Sequence, residues 1–140
     1  MSAFKRTITL LTLLTLGGCG DIMSSYYKSV STTAIAAVTC RDVLSVAHEQ
    51  KTAAVVEKAK TDKAGAQVDL DKWLPTYEKI KTTCTGLKVG SKLALEAAPV
   101  VEAAISKKKD AMGWIVRLGK LVFDAYATLA EAGIKIPGVN

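Results

Sequence analysis

Three cysteines and a single histidine are the residues of this chain with the most chemistry to offer. An ionised thiol is a nucleophile and a metal ligand, and two thiols in an oxidising compartment join as a disulfide. Cys19, Cys40 and Cys84 are too far apart in sequence for the close pairs that hold zinc, and His48, beside Glu49, has no second histidine to complete a metal set. A lone helical histidine next to a carboxylate belongs on a polar flank, so no catalytic role and no metal are expected. The serines lack a Gly-x-Ser-x-Gly elbow, and Gly86 and Gly90 lack the spacing of a phosphate-cradling loop. Asp69 and Asp71 form the closest acidic pair, and capping of a helix explains them better than acid/base work. The pattern points away from an enzyme and asks for no cofactor.

Cys19 has a distinctive setting. Lys5 and Arg6 precede an apolar stretch from Ile8 to Leu16, and Gly17, Gly18 and Cys19 follow. Charge, then apolar residues, then small residues is the order of a secretory signal. Threonines at 9, 12 and 15 interrupt the stretch, which falls well short of the roughly 20 apolar residues of a stable membrane span. Leu16-Gly17-Gly18-Cys19 resembles the lipobox of bacterial lipoproteins. That resemblance implies a diacylglycerol on the Cys19 thiol, cleavage before it, and acylation of the freed amine. The competing expectations are an ordinary signal peptide with a coincidental cysteine and a buried apolar N-terminal helix. Two or more acyl chains, at about 0.8 kcal/mol per buried methylene, anchor stably where one is marginal. In that class an Asp directly after the cysteine would imply inner-membrane retention; Gly20 stands there and Asp21 follows, which favours the outer membrane. The domains expected are therefore a signal peptide over 1–18 and a lipid-anchored, periplasm-facing domain over 19–140.

Loss of residues 1–18 leaves 122 residues, enough for one core but not two. Lys5 and Arg6 leave with the leader, so 17 basic groups face 13 acidic ones, a balance of +4. That excess suits anionic headgroups or a solvated lysine-rich surface, and without an arginine or aromatic-interleaved stripe nucleic acid is a poor partner. With Cys19 assigned to lipid, Cys40 and Cys84 remain as an even pair bound for an oxidising compartment, and a disulfide is the economical reading. Two separate buried thiols are the alternative.

Alternating apolar and polar runs are absent, and Ala, Lys, Leu and Glu dominate; the spacing predicts an all-α, antiparallel three-helix bundle. A first helix is expected over 24–59, with Met23, Tyr27, Val30, Ala34, Ala37, Cys40, Val43, Ala47 and Ala54 on its inner face, and a turn at Ala64-Gly65-Ala66. The second carries Trp73, Tyr77, Ile80, Cys84, Leu87, Ser91, Ala94, Ala98, Val101 and Ile105 at alternating spacings of three and four. Asp69 or Asp71 is its expected cap, Pro75 lies near its first turn, and Pro99 is expected to bend it or split it into a fourth segment. Lys107-Lys108-Lys109-Asp110 reads as a polar break. A third helix is expected over 110–132, with Ile115, Leu118, Val122, Ala125, Tyr126 and Leu129 inward, closed by Gly133 and Ile134. Helices running to 60 and from 70 leave Cys40 farther from the turn than Cys84 by about 9 Å, so the first helix must end early, bend or overhang.

Trp73 and Tyr77 are expected in the core and Trp114 as the exposed aromatic, and for Tyr26 and Tyr27, close to the anchor, a headgroup boundary is the alternative to the helical stripe. Trp73, Tyr77, Ile80 and Cys84, a second Trp114, and the ending Gly133-Ile134-Lys135-Ile136-Pro137-Gly138 look like small lipoproteins of bacteriophages and prophages. The phage lysis lipoproteins are proline-rich, and three prolines here count against a spanin role. The expected function is a non-enzymatic anchored module that contacts membrane lipid through acylated Cys19 and binds or braces an envelope or virion protein. An inhibitory module, such as a phage superinfection-exclusion factor that occludes a receptor, is the alternative.

Overall fold

The computed structural model describes residues 21–139; the leader expected over 1–18 and the lipid expected on Cys19 lie outside the described residues. Three helices pack pairwise: α1 (Ile22–Ala59), α2 (Lys63–Ala103) and α3 (Lys107–Glu131), with no strand among the described residues. The three-helix bundle predicted from the spacing is the fold observed.

The α1–α2 pairing follows from two matched seams. On α1 the buried positions include Met23, Tyr26, Val30, Thr33, Ala37, Cys40 and Leu44, each three or four residues from the last. On α2 Trp73, Ile80, Cys84, Leu87, Ser91, Ala94, Ala98 and Val101 are buried. This repeat keeps one stripe of each helix against the other over many turns. Ile105 does not belong to the stripe: α2 ends at Ala103, and Ile105 is fully exposed in the following turn. On α1 the buried face is shifted from the expected one, taking Tyr26, Thr33 and Ala36 while Tyr27 and Ala34 face outward.

Asp21 caps α1, its carboxylate accepting from the Met23 N–H at 3.2 Å. The turn to α2 lies at 60–62, not at Ala64-Gly65-Ala66, and Asp62 rather than Asp69 or Asp71 is the cap, accepting from Gly65 N–H at 2.9 Å. Gly65 is needed for room: a Cβ there would meet the Asp62 carboxylate at 2.0 Å. A glycine legible as a turn is thus the clearance for a cap inside the helix. The earlier start also removes the register problem. Cys40 is 19 residues before the end of α1 and Cys84 is 21 after the start of α2, a mismatch of about 3 Å instead of 9. The two are joined by a disulfide with Cα atoms 5.5 Å apart.

Neither proline ends α2. Pro75 lies well inside the helix, and Pro99 is followed by helix to Ala103. A proline leaves the carbonyl four residues before it without a helical donor; both prolines are on the exposed side, as are Asp71 and Leu95 four residues earlier, so water reaches those carbonyls. The break before α3 is at 104–106, and Lys107, Lys108 and Lys109 form its first turn rather than a joint. At the other end Gly133 takes φ +72°. Its N–H donates to Ala130 O at 3.0 Å and that of Ile134 to Leu129 O at 2.9 Å, the paired bonds of a left-handed helix stop with its apolar contact. Ile134, Ile136 and Val139 then fold back onto the bundle.

Two apolar clusters fill the interior. The base cluster joins Met23, Tyr26 and Val30 to Ala94, Ala98, Val101, Ala111 and Leu118. The middle cluster surrounds the disulfide with Leu44, Ile80, Leu87, Ala125, Leu129 and Ile136. Thr33 and Ser91 are the buried polar residues between them, and each hydroxyl donates within its own helix, to Ser29 O at 2.8 Å and to Lys88 O at 3.0 Å. Gly90 lets α3 approach, since a Cβ there would meet Leu121 Cδ1 at 2.5 Å. Tyr26, for which a headgroup boundary is the alternative expectation, is fully buried and its hydroxyl donates to Ala94 O.

Two outcomes follow. Replacing both Cys40 and Cys84 by Ala should lower unfolding free energy by about 4 kcal/mol, read by urea denaturation without reductant. Burial, with the neighbouring Tyr27 phenol adding to it, holds the Tyr26 phenol above its ordinary 10.0, and burial raises Tyr126 as well. A folded value above the unfolded one means full stability below pH 10 and loss as pH rises through the folded values. Thermal melts should therefore fall above pH 10, and Tyr26→Phe should remove part of that fall.

Candidate functional site

The described residues bring together one polar cluster that sequence spacing did not reveal. His48 is half-buried on α1 rather than lying on a polar flank, and its Nδ1 accepts from the Trp73 indole N–H at 3.0 Å. The His48 and Tyr77 rings stack with centroids 4.2 Å apart, and Lys81 Nζ lies 5.7 Å from the Tyr77 centroid. Trp73 is buried as expected and Tyr77 half-buried. Because an indole N–H is donor only, Nδ1 must be the unprotonated nitrogen of the ring. That nitrogen is engaged, so it is not free to draw a proton from a serine. The signal for this pairing was the sum of positions across a hairpin, and it could be used only with the turn placed at 60–62.

Trp114 is half-buried against the base cluster, not exposed, with the Arg117 guanidinium 5.0 Å from its ring centroid. Tyr27 is the more exposed aromatic, at 43%. Asp71 accepts from Gln67 Nε2 at 2.7 Å, and Asp69 pairs with Lys58 at 2.7 Å. No group of three His, Cys, Asp or Glu side chains suited to a metal occurs among the described residues.

The most distinctive surface lies where α3 stops. Glu131, at its end, meets Lys79 at 3.5 Å, and the sixteen residues of α2 before Lys79 run on for roughly 24 Å at 1.5 Å per residue. The partner half of α1 runs alongside. Between 45 and 76 only Ala66 and Trp73 are buried. Above the end of α3 this leaves a notch of about 650 Å³ with Val55, Trp73 and Ile80 among its apolar lining and Lys51, Lys58, Lys72 and Lys79 around it. The hydrogen bond to Lys58 holds the Asp69 carboxyl below its usual range, with Lys72 and Lys51 adding to it, and the same bond raises Lys58. Four ammonium groups against Asp69 and Glu131 leave the notch basic. It can accept an apolar surface bordered by carboxylates and holds no nucleophile paired with a base.

No family model, curated protein or solved structure matches the chain. By length and composition α1 could cross a membrane, with an 18-residue window of mean hydropathy 1.3, and a third of that window is buried in the bundle. A core helix meets the same test, and the seam of α1 is core.

The His48–Trp73 bond should be measurable as a coupling. His48→Leu leaves a buried indole N–H unpaired and should cost about 1–2 kcal/mol. In a double-mutant cycle with Trp73→Phe, urea denaturation should give a combined loss smaller than the sum by about 1 kcal/mol.

Proposed function

We propose that the chain is a non-enzymatic, lipid-anchored helical module that binds or braces an envelope or virion component. In this reading acylated Cys19 holds it to a membrane, on the periplasmic side and in the outer rather than the inner membrane. The observation that carries the reading is the polarity of the bundle. Its first described residue, Asp21, is two residues past Cys19 and caps α1 at one end. The α1–α2 hairpin outruns α3 at the other end and offers the basic, apolar-floored notch there. A bundle stapled near its middle and tethered at its base would hold that notch away from the bilayer, on a body stiff enough to transmit a load. The internal hydrogen bond of His48, the best residue an enzyme reading has, supports binding over catalysis.

Intact mass of the protein from a bacterial membrane fraction tests the anchor. The expected product lacks residues 1–18, carries acyl chains on Cys19, and is two hydrogens lighter than the dithiol. Cys19→Ser should leave the leader uncut. A soluble, unacylated wild-type product would overturn the proposal.

A further inference from the structure

The most exposed large apolar side chains among the described residues are not scattered. Ile105 is fully exposed and Val100 is 74% exposed, and they sit within five residues of each other at the α2–α3 turn. Lys107, Lys108 and Lys109 follow immediately as the first turn of α3. None of these lysines has an ion-pair partner among the described residues. Asp110 is the acidic residue of that turn, and its carboxylate accepts from the Ser106 hydroxyl at 2.9 Å. The lysines do nothing for the helix itself, because cations in a first turn oppose the helix dipole.

This turn and the start of α1 share one end of the molecule: Ile22 and Met23 pack in the same cluster as Ala98, Val101 and Ala111. Residues 1–20 therefore join the described chain at this end. The carboxylates here are Asp21, occupied as a cap, Asp110, and Glu102 in the last turn of α2. Apolar side chains beside a run of unpaired lysines form the pattern that inserts into the boundary between acyl chains and anionic headgroups.

We propose that this end of the bundle seats on an anionic phospholipid surface, with Ile105 and Val100 entering the headgroup boundary and Lys107, Lys108 and Lys109 meeting lipid phosphates. The proposal rests on the anchored reading above and adds an orientation to it. A single tether lets a domain tumble, whereas a second contact beside the tether fixes the long axis outward. It also gives Ile105 a burial that the bundle withholds.

The test places an environment-sensitive fluorophore at Ile105→Cys in the full, matured protein, labelled without reducing the Cys40–Cys84 bond. Ile105 makes no part of the core, so the substitution spares the fold. Intact mass first establishes the state of Cys19. The protein is then reconstituted with vesicles of phosphatidylethanolamine and phosphatidylglycerol carrying a lipid-borne quencher. Labels at Ser24→Cys, exposed at the same end and nearer the tether, and at Lys60→Cys, on the far turn, serve as references. Quenching at Ile105 should exceed that at both by severalfold. It should fall to the Ser24 level when Lys107, Lys108 and Lys109 are all replaced by Gln, or when phosphatidylcholine replaces the anionic lipid. Quenching at Ile105 no greater than at Ser24, or indifferent to headgroup charge and to the lysines, would overturn the proposal. Should the mass reveal no acyl chains, the anchored reading fails by itself, and the same label mixed with the same vesicles still decides whether this end binds lipid.

Discussion

Everything in this fold depends on one long seam between α1 and α2 kept in a single register. The seam is built largely from small residues: Ala36 and Ala37 on one side, Ala94 and Ala98 on the other. Small side chains let two helices approach closely, yet each buries little area, and area removed from water is the main favourable term, at roughly 25 cal/mol per Å². A seam of small side chains also resists slippage less well than one of large interlocking side chains, because less area is lost when it moves. Cys40–Cys84 removes that freedom by fixing one cross-link in the middle cluster. Tyr26 adds a second fixed point at the base, since its hydroxyl can donate to Ala94 O in only one register. Between these pins the helices have no room to slide, and α3 can then be laid onto a finished surface with Leu118, Ala125 and Leu129.

The residues that were legible in the sequence are those for which periodicity alone decides. The α2 stripe from Trp73 to Val101 was readable because it repeats without a break, and the cysteine pairing because Cys40 and Cys84 are left as an even pair once Cys19 is set aside, both falling on inner stripes. Element ends were less readable, and the reasons are local. Gly65 looked like a turn because glycine is a poor helix former, yet its missing side chain is what lets Asp62 close over the first turn of α2. Pro75 read as a first-turn residue and Pro99 as a bend or break, but both lie inside α2; where the freed carbonyl faces water the cost is moderate and the packing of the opposite face outweighs it. On α1 two neighbouring residues, Tyr26 and Tyr27, compete for the core. Spacing puts Tyr27 on the inner face, while a buried acceptor on α2, Ala94 O, takes Tyr26 instead. His48 failed for another reason: its partner is on a different helix, so its role depends on a register the sequence left about 9 Å uncertain.

The unequal helix lengths give the molecule two different ends. Within the bundle each helix has two neighbours, and polar groups are satisfied locally; no buried side-chain nitrogen or oxygen among the described residues lacks a partner. Past the end of α3 the hairpin has only itself. There the packing thins to Ala66, Trp73 and the His48–Tyr77 stack, and the charges arrange themselves in exposed pairs such as Lys60–Glu57 and Lys58–Asp69. Exposed pairs contribute little to stability, so this half of the hairpin is held by its connection to the stapled half more than by its own contacts. A segment of that kind adapts to a partner at small energetic cost while its root stays fixed.

The placement of chemistry in the chain agrees with this mechanical division. Among the described residues two thiols are closed in the core and the imidazole holds an indole, while lysines line the notch, open α3 and also flank the middle of the rod. An enzyme needs the reverse arrangement, with an unsatisfied nucleophile or base held in a rigid, enclosed centre. Among the described residues the centre holds the disulfide and locally paired polar groups, while one end exposes apolar side chains beside unpaired lysines and the other a basic notch over an aromatic floor. In the proposed reading a rod with two unlike ends would hold two things at a set distance, and the disulfide at its waist would keep α1 and α2 in one register while it did so.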